Sequence, residues 1–135
     1  MIVDSHYHYM TAMSKKGAAE MVGMLFAEAQ KMGGNPDYDT MLQTAVRTWA
    51  DPLADRLIEN MDEAGVDVTV AVNVDDIAIR TFTPEVIDRQ NRMLGEALRR
   101  HPGRLVGLAG IDPRRPEAAQ MAGICMEEYG LAGVK

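Results

Sequence analysis

Short β-branched runs alternate with amphipathic helical stripes along most of this chain, and that alternation restricts the fold more than any other feature. Residues 1–5 open as a strand that ends at His6 and His8, and residues 66–73 (VDVTVAVN) are nearly continuous in apolar character, as expected of a strand covered by helices on at least one face. Residues 104–111 read as a third strand and residues 131–135 as the start of a fourth. Between them, Ala18, Met21, Val22, Leu25, Ala29 and Met32 recur at helical spacing over residues 14–32, closed by Gly33 and Gly34. Asp51 as a cap with Pro52 at the first helical position predicts a second helix, with Leu53, Leu57, Ile58 and Met61 as its buried stripe and Gly65 at its end. Thr83 and Pro84 repeat that start for a helix carrying Ile87, Leu94, Ala97 and Leu98, which must stop before His101-Pro102-Gly103. Arg115-Pro116 opens the last, with Ala118, Met121, Ala122, Cys125 and Tyr129 on one face. The order βαβαβαβ demands crossovers and a parallel sheet, either open and doubly wound or closed into a barrel.

Charge and composition remove several function classes. With 14 Lys and Arg against 20 Asp and Glu the net charge is -6, and no basic cluster interrupts the chain, so neither nucleic acid nor an anionic membrane is an expected partner. A small-molecule substrate is. No apolar run reaches the roughly 18 residues of a membrane span, and no basic, apolar and cleavage-site sequence opens the chain, so a cytoplasmic location is expected. Cys125, the single cysteine, excludes an internal disulfide and reads as a small core residue. The methionines at helical spacing read as core rather than as a partner groove.

The chemistry concentrates at strand ends. His6 and His8 are two apart on a strand, so both imidazoles leave the same face, about 7 Å apart at their Cα atoms. Neutral imidazoles in fixed orientation are preferred ligands for zinc and related divalent metals. Asn73, Asp75, Asp112 and Lys135 also fall at or just past the carboxyl ends of predicted strands, where a parallel barrel places its chemistry. Asp4 shares the histidines' parity one step deeper and is expected to support them rather than bind metal. His101 ends a helix on the opposite side and is read as a helix-terminus residue.

Three blocks carry a family resemblance: Val3-Asp4-Ser5-His6-Tyr7-His8; the helix-to-strand junction Asn60-Met61-Asp62-Glu63-Ala64-Gly65-Val66-Asp67; and residues from Asn91 through HPGRLVGLAGIDP to Tyr129-Gly130-Leu131-Ala132-Gly133-Val134-Lys135. Together they resemble the amidohydrolase-related branch of the metal-dependent hydrolase superfamily, which includes aminocarboxymuconate semialdehyde decarboxylase. The resemblance implies a (β/α)8 barrel of the TIM type with a divalent metal, usually zinc, held first by His6 and His8. The family's further ligands follow the fourth strand. A barrel of this kind takes about 250 residues, so 1–135 is expected to supply its first half, about four βα units. Lys135 is a possible substrate or metal contact: other branches carbamylate a lysine here to bridge two metals, whereas in this branch the resemblance implies a substrate or structural contact.

Residues 11–50 read as an inserted, helical, lid-like segment at the rim, from which Arg47 and Trp49 would meet a carboxylate and a ring. The expected function is metal-dependent hydrolysis of an ester, lactone or amide of a small carboxylated molecule. Non-oxidative decarboxylation is the alternative within the same branch. A non-catalytic half-barrel that needs a partner is the alternative outside it. Unpaired sheet edges would drive such a half to associate, so a homo-oligomer is expected, in one form two copies sharing one barrel mouth.

Overall fold

The computed structural model describes residues 1–9, 15–49, 51–79 and 82–135. Its elements run β1 (Val3–His8), α1 (Lys15–Lys31), α2 (Tyr38–Trp49), α3 (Asp55–Ala64), β2 (Val68–Val72), α4 (Pro84–Arg100), β3 (Leu105–Ala109), α5 (Ala118–Glu127) and β4 (Gly133–Val134). The expected boundaries at Thr11, Ser14 and Ala50 lie outside the described residues. By compactness the chain divides into residues 1–9 with 52–135, and residues 10–51.

In the first unit the four strands pair in chain order, all parallel. A doubly wound sheet reverses its strand order at a switch point, whereas here each crossover steps the same way. Right-handed connections then put α3, α4 and α5 on one face. Ala71, Leu105 and Ala109 line that face and pack with Leu57 and Met61 of α3, Leu94 and Ala97 of α4, and Cys125 of α5. Burial pushes the Cys125 thiol up to about 11, with the Asp88 charge adding to it, so the thiol stays protonated and inert.

The opposite face carries Val70, Val72, Val106 and Leu108, of which Val106 is exposed. Strands one and four of a flat sheet lie about 14 Å apart. Yet the ammonium nitrogen of Lys135, the residue after β4, lies 3.0 Å from Nε2 of His8 on β1. The sheet is therefore curled with this second face concave, a curvature consistent with part of a barrel wall.

Local starts follow the sequence in some places and depart in others. Thr83 caps α4 as expected, its hydroxyl accepting from the Val86 N–H at 3.4 Å, with Pro84 in the first turn. Asp51 does not cap α3. Pro52 and Leu53 form a turn, the Leu53 carbonyl meets Nε2 of His101 at 3.0 Å, and the helix begins only at Asp55, with Ala54 as its N-cap at φ 61°. Likewise α5 starts three residues after Arg115, because the Arg115 N–H first closes a turn onto the Asp112 carbonyl at 3.0 Å. Tyr129 lies beyond that helix and donates its hydroxyl to Asp88 at 2.7 Å.

The second unit contains α1 and α2. Ala18 and Val22 of the one and Ala45 of the other are buried, and the rings of Phe26 and Tyr38 meet edge to face at 5.4 Å. Residues 41–49 belong to a helix that starts at Tyr38, where Asp37 accepts the Thr40 N–H at 2.7 Å. Where the chain leaves and re-enters the first unit, the Tyr9 hydroxyl donates to the Pro52 carbonyl at 2.9 Å.

Gly110, just past β3, tests the packing of the rim. A Cβ there would sit 2.7 Å from the Asn73 carbonyl carbon and the Val74 nitrogen, both backbone atoms of the neighbouring strand end. Gly110→Ala is expected to destabilise by about 1–3 kcal/mol in denaturant titration. Gly123→Ala, inside α5 with open space around its Cβ, is expected to stabilise by about 0.5–1 kcal/mol.

Candidate functional site

β1 is not a regular strand. Asp4 is paired with Thr69 and Tyr7 with Ala71, so Ser5 and His6 together oppose Val70 in a bulge. The bulge overturns one expectation from simple alternation: Asp4 sits on the face of Thr69 and Tyr7, not on that of His8. Its carboxylate accepts the backbone N–H of His6 at 3.1 Å, which holds the bulge rather than an imidazole.

The two imidazoles converge. Their Nε2 atoms are 2.8 Å apart, with ring centroids at 4.8 Å and planes inclined by 44°. Zinc holds imidazole nitrogens at about 2.0–2.1 Å, which places neighbouring donors roughly 3 Å apart, so the pair has the bite of two ligands on one ion. Lys135 adds a third nitrogen, 3.0 Å from His8 Nε2. An ammonium can only donate, so His8 must offer a lone pair at Nε2 and carry its proton on Nδ1. Partial desolvation first, then the charges of Lys135 and His6, lower the His8 pKa, which favours the neutral ring. Among the described residues no cluster of three or more His, Cys, Asp or Glu side chains surrounds this point.

The other rim residues face a different task. Asn73 is buried and donates to Oδ1 of Asn91 at 2.9 Å; the same oxygen accepts the Gly110 N–H at 3.1 Å, and Asn91 Nδ2 donates to the Gly110 carbonyl at 3.1 Å. One α4 side chain thus ties together the ends of β2 and β3. The Asp75 side chain is fully buried and takes Arg115 in a bidentate pair at 2.6 Å and 2.6 Å, while its Oδ2 also accepts the Asp112 N–H at 2.8 Å. Arg115 reaches on to the Phe82 carbonyl. Asp112 accepts the N–H groups of Ile77 at 3.0 Å and Arg114 at 2.9 Å, and Arg114 joins it to Asp76. The loops after β2 and β3 are therefore one polar network. The Arg114 guanidinium first, and the two backbone N–H groups after it, hold the Asp112 carboxyl far below the usual carboxylate range.

Neither the role of Asn91 nor the pairing of Asp75 with Arg115 is read from the sequence, since their partners lie 18 to 40 residues away. Their only sequence signal is a polar residue inside an apolar helical stripe and an arginine just after a strand. Arg47 and Trp49 fall in the last turn of α2, in the second unit. His101 stands at the far end of α4, bonded to Asp55 at 2.9 Å, as a helix-terminus residue should be.

The chain is similar in fold to the solved structure of 4-oxalomesaconate hydratase from Rhodopseudomonas palustris, with a TM-score of 0.54 and 22% identity over 99% of this chain and 40% of that one. It spans well under half the length of that protein. No protein-family model and no curated protein matches the sequence. No described helix is long and apolar enough to cross a membrane.

Two outcomes test the rim network. Arg115→Met leaves the Asp75 carboxylate buried without its partner and is expected to cost roughly 3 kcal/mol or more in chemical denaturation. For Asp112 the folded pKa is depressed, so its stabilising share is complete above the unfolded value of about 3.9 and is lost as pH falls from there toward the folded value. Asp112→Asn should accordingly flatten the fall in stability below about pH 4, measured as melting temperature against pH.

Proposed function

We propose that this chain forms the N-terminal half of a metal-dependent enzyme built on a (β/α)8 barrel, with His6 and His8 holding a divalent metal, zinc in the first place. The observation that supports it is the 2.8 Å approach of the two imidazole Nε2 atoms at the carboxyl end of a curled parallel sheet. Two histidines leave a metal under-coordinated, so the remaining ligands come from residues beyond these or from a partner chain. When bound, such a metal polarises a carbonyl and makes water acidic enough to attack near neutral pH.

Around that chemistry the chain's own residues divide the work. His6 and His8 present lone pairs from a bulged strand that cannot flatten without breaking the Asp4 contact. Lys135 places a positive charge beside them. Asn91 and the Asp75–Arg115 pair fix the strand ends from which the mouth is built, which limits reorganisation during reaction. Hydrolysis of an ester, lactone or amide of a small carboxylated molecule is the first reading. Hydration of a carbon–carbon double bond is the second, favoured by the likeness in fold to a hydratase. Both add water to a polarised substrate.

Zinc uptake and turnover test this together. After equilibrium dialysis the wild-type chain should retain zinc, and His6→Ala and His8→Ala should each weaken retention at least tenfold by elemental analysis. The zinc-loaded protein, with whatever completes its barrel, should cleave or hydrate a member of a panel of carboxylated esters, lactones and enoates and stop on chelation. Turnover of that panel unaffected by chelators would overturn the metal-dependent reading. Carbon dioxide release would move it to decarboxylation, and zinc retention without turnover to a binding module.

A further inference from the structure

Three described cations follow β3 and β4 at the carboxyl rim. Arg115 is consumed by Asp75, and Arg114 by Asp112 and Asp76. Lys135 differs from both. Its ammonium meets only the neutral His8 imidazole, and no described carboxylate lies within 4.0 Å of it. Asp4, the acidic residue nearest in sequence to the histidines, is turned to the His6 backbone and shares the face of Thr69. One N–H of the Lys135 ammonium is used, which leaves two without a described protein partner.

The position of that charge matters as much as its lack of a counter-ion. Lys135 spans the concave face from the end of β4 to the end of β1, above the register line His8, Val72, Leu108 and Gly133. The floor beneath it is apolar, and Val72 is buried. A positive charge over an apolar floor, next to two metal-ligating nitrogens, favours a small organic anion that can engage both at once.

We infer that Lys135 is the carboxylate-binding residue of this site, donating to one oxygen of a small organic acid whose reactive end lies toward the histidine pair. The inference rests on the reading of His6 and His8 as metal ligands, and it names the substrate class as a carboxylate held by Lys135 rather than by either rim arginine. Lysine at this point acts as a compact charge, and arginine in its place should serve nearly as well for a monodentate carboxylate.

The test uses the full chain loaded with zinc, with malonate as the probe, read by isothermal titration calorimetry, and zinc content read separately by elemental analysis. Lys135→Met is expected to weaken malonate at least tenfold while zinc content and circular dichroism stay unchanged, and Lys135→Arg to stay within about threefold of wild type. Malonate bound by Lys135→Met as tightly as by wild type would overturn the inference. Loss of zinc in Lys135→Met would overturn it in another way, by making the lysine a metal ligand. Inorganic phosphate binding as tightly as malonate would overturn the assignment to carboxylates. If the wild type takes up no zinc, the metal reading fails by itself. The Lys135 inference is then decided on the metal-free chain by malonate protection of Lys135 from trinitrobenzenesulfonate: protection supports it and none overturns it.

Discussion

Parallel pairing of β1 to β4 in strict chain order is the constraint on which the rest of this structure depends. Each crossover must carry the chain from the carboxyl end of one strand to the amino end of the next, and right-handedness sends α3, α4 and α5 over the same face. One face of the sheet is thereby filled by α3, α4 and α5, with Leu57, Met61, Leu94, Ala97 and Cys125 meeting Ala71, Leu105 and Ala109. The small residues Ala71, Gly107 and Ala109 on that face let the helices sit close; a Cβ on Gly107 would meet Leu131, Leu98 and Leu94 side chains at 2.8 to 3.2 Å. With α3, α4 and α5 crowding one side, the sheet curls away from them. That curl turns four strand ends into a rim.

A rim built from loop starts needs support that the hydrophobic core cannot give, since its residues lie beyond the layer of apolar contacts. Here that support is polar and buried. Asn91 satisfies both backbone groups of Gly110 and the Asn73 amide from a single side chain, and the Asp75–Arg115 pair joins two loops through a bidentate contact with almost no exposure. Such groups are costly to bury and costly to break, so each contact is effectively all or none. The consequence is a division of labour. Asn73 and Asp112, which a sequence reading places among possible pocket residues, spend their hydrogen bonds on Asn91 of α4 and on the Ile77 and Arg114 N–H groups respectively, whereas His6, His8 and Lys135 have polar atoms left to offer.

The fold was legible in the sequence where the signal is local and periodic. The β-branched, nearly continuous apolar run of residues 66–73, the Thr83-Pro84 start and the glycine stops all report on neighbours within a few residues, and the structure follows them. What escaped reading is set by long-range competition. Asp51 has the chemistry of a cap, but the Pro52-Leu53 turn is held from 48 residues away by His101, and the helix starts later at a left-handed Ala54 instead. The bulge at Ser5 and His6 is invisible to alternation because one inserted residue reverses the parity of everything before it. It moved Asp4 to the other face yet left the two histidines together. The convergence of His6 and His8 was therefore legible, while the reason for it was not.

The contact between β1 and β4 joins these arguments. His8 can accept from Lys135 only if the sheet is curled, if His8 is neutral, and if its Nε2 lone pair faces the concave side. Each of these conditions is favoured elsewhere: curvature by α3, α4 and α5 packing on one face, a lowered His8 pKa by desolvation and by the nearby positive charge, and ring direction by the bulge that Asp4 holds. A single lone pair then lies between a second imidazole at 2.8 Å and an ammonium at 3.0 Å, and it cannot serve both fully. Charge decides which arrangement is comfortable. An ion between the imidazoles satisfies both of their lone pairs and repels the ammonium, and an anion placed beside the lysine removes that repulsion. On the reading of His6 and His8 as metal ligands, the geometry of these three nitrogens would couple two binding events, a cation at the histidines and an anion at Lys135, each strengthening the other.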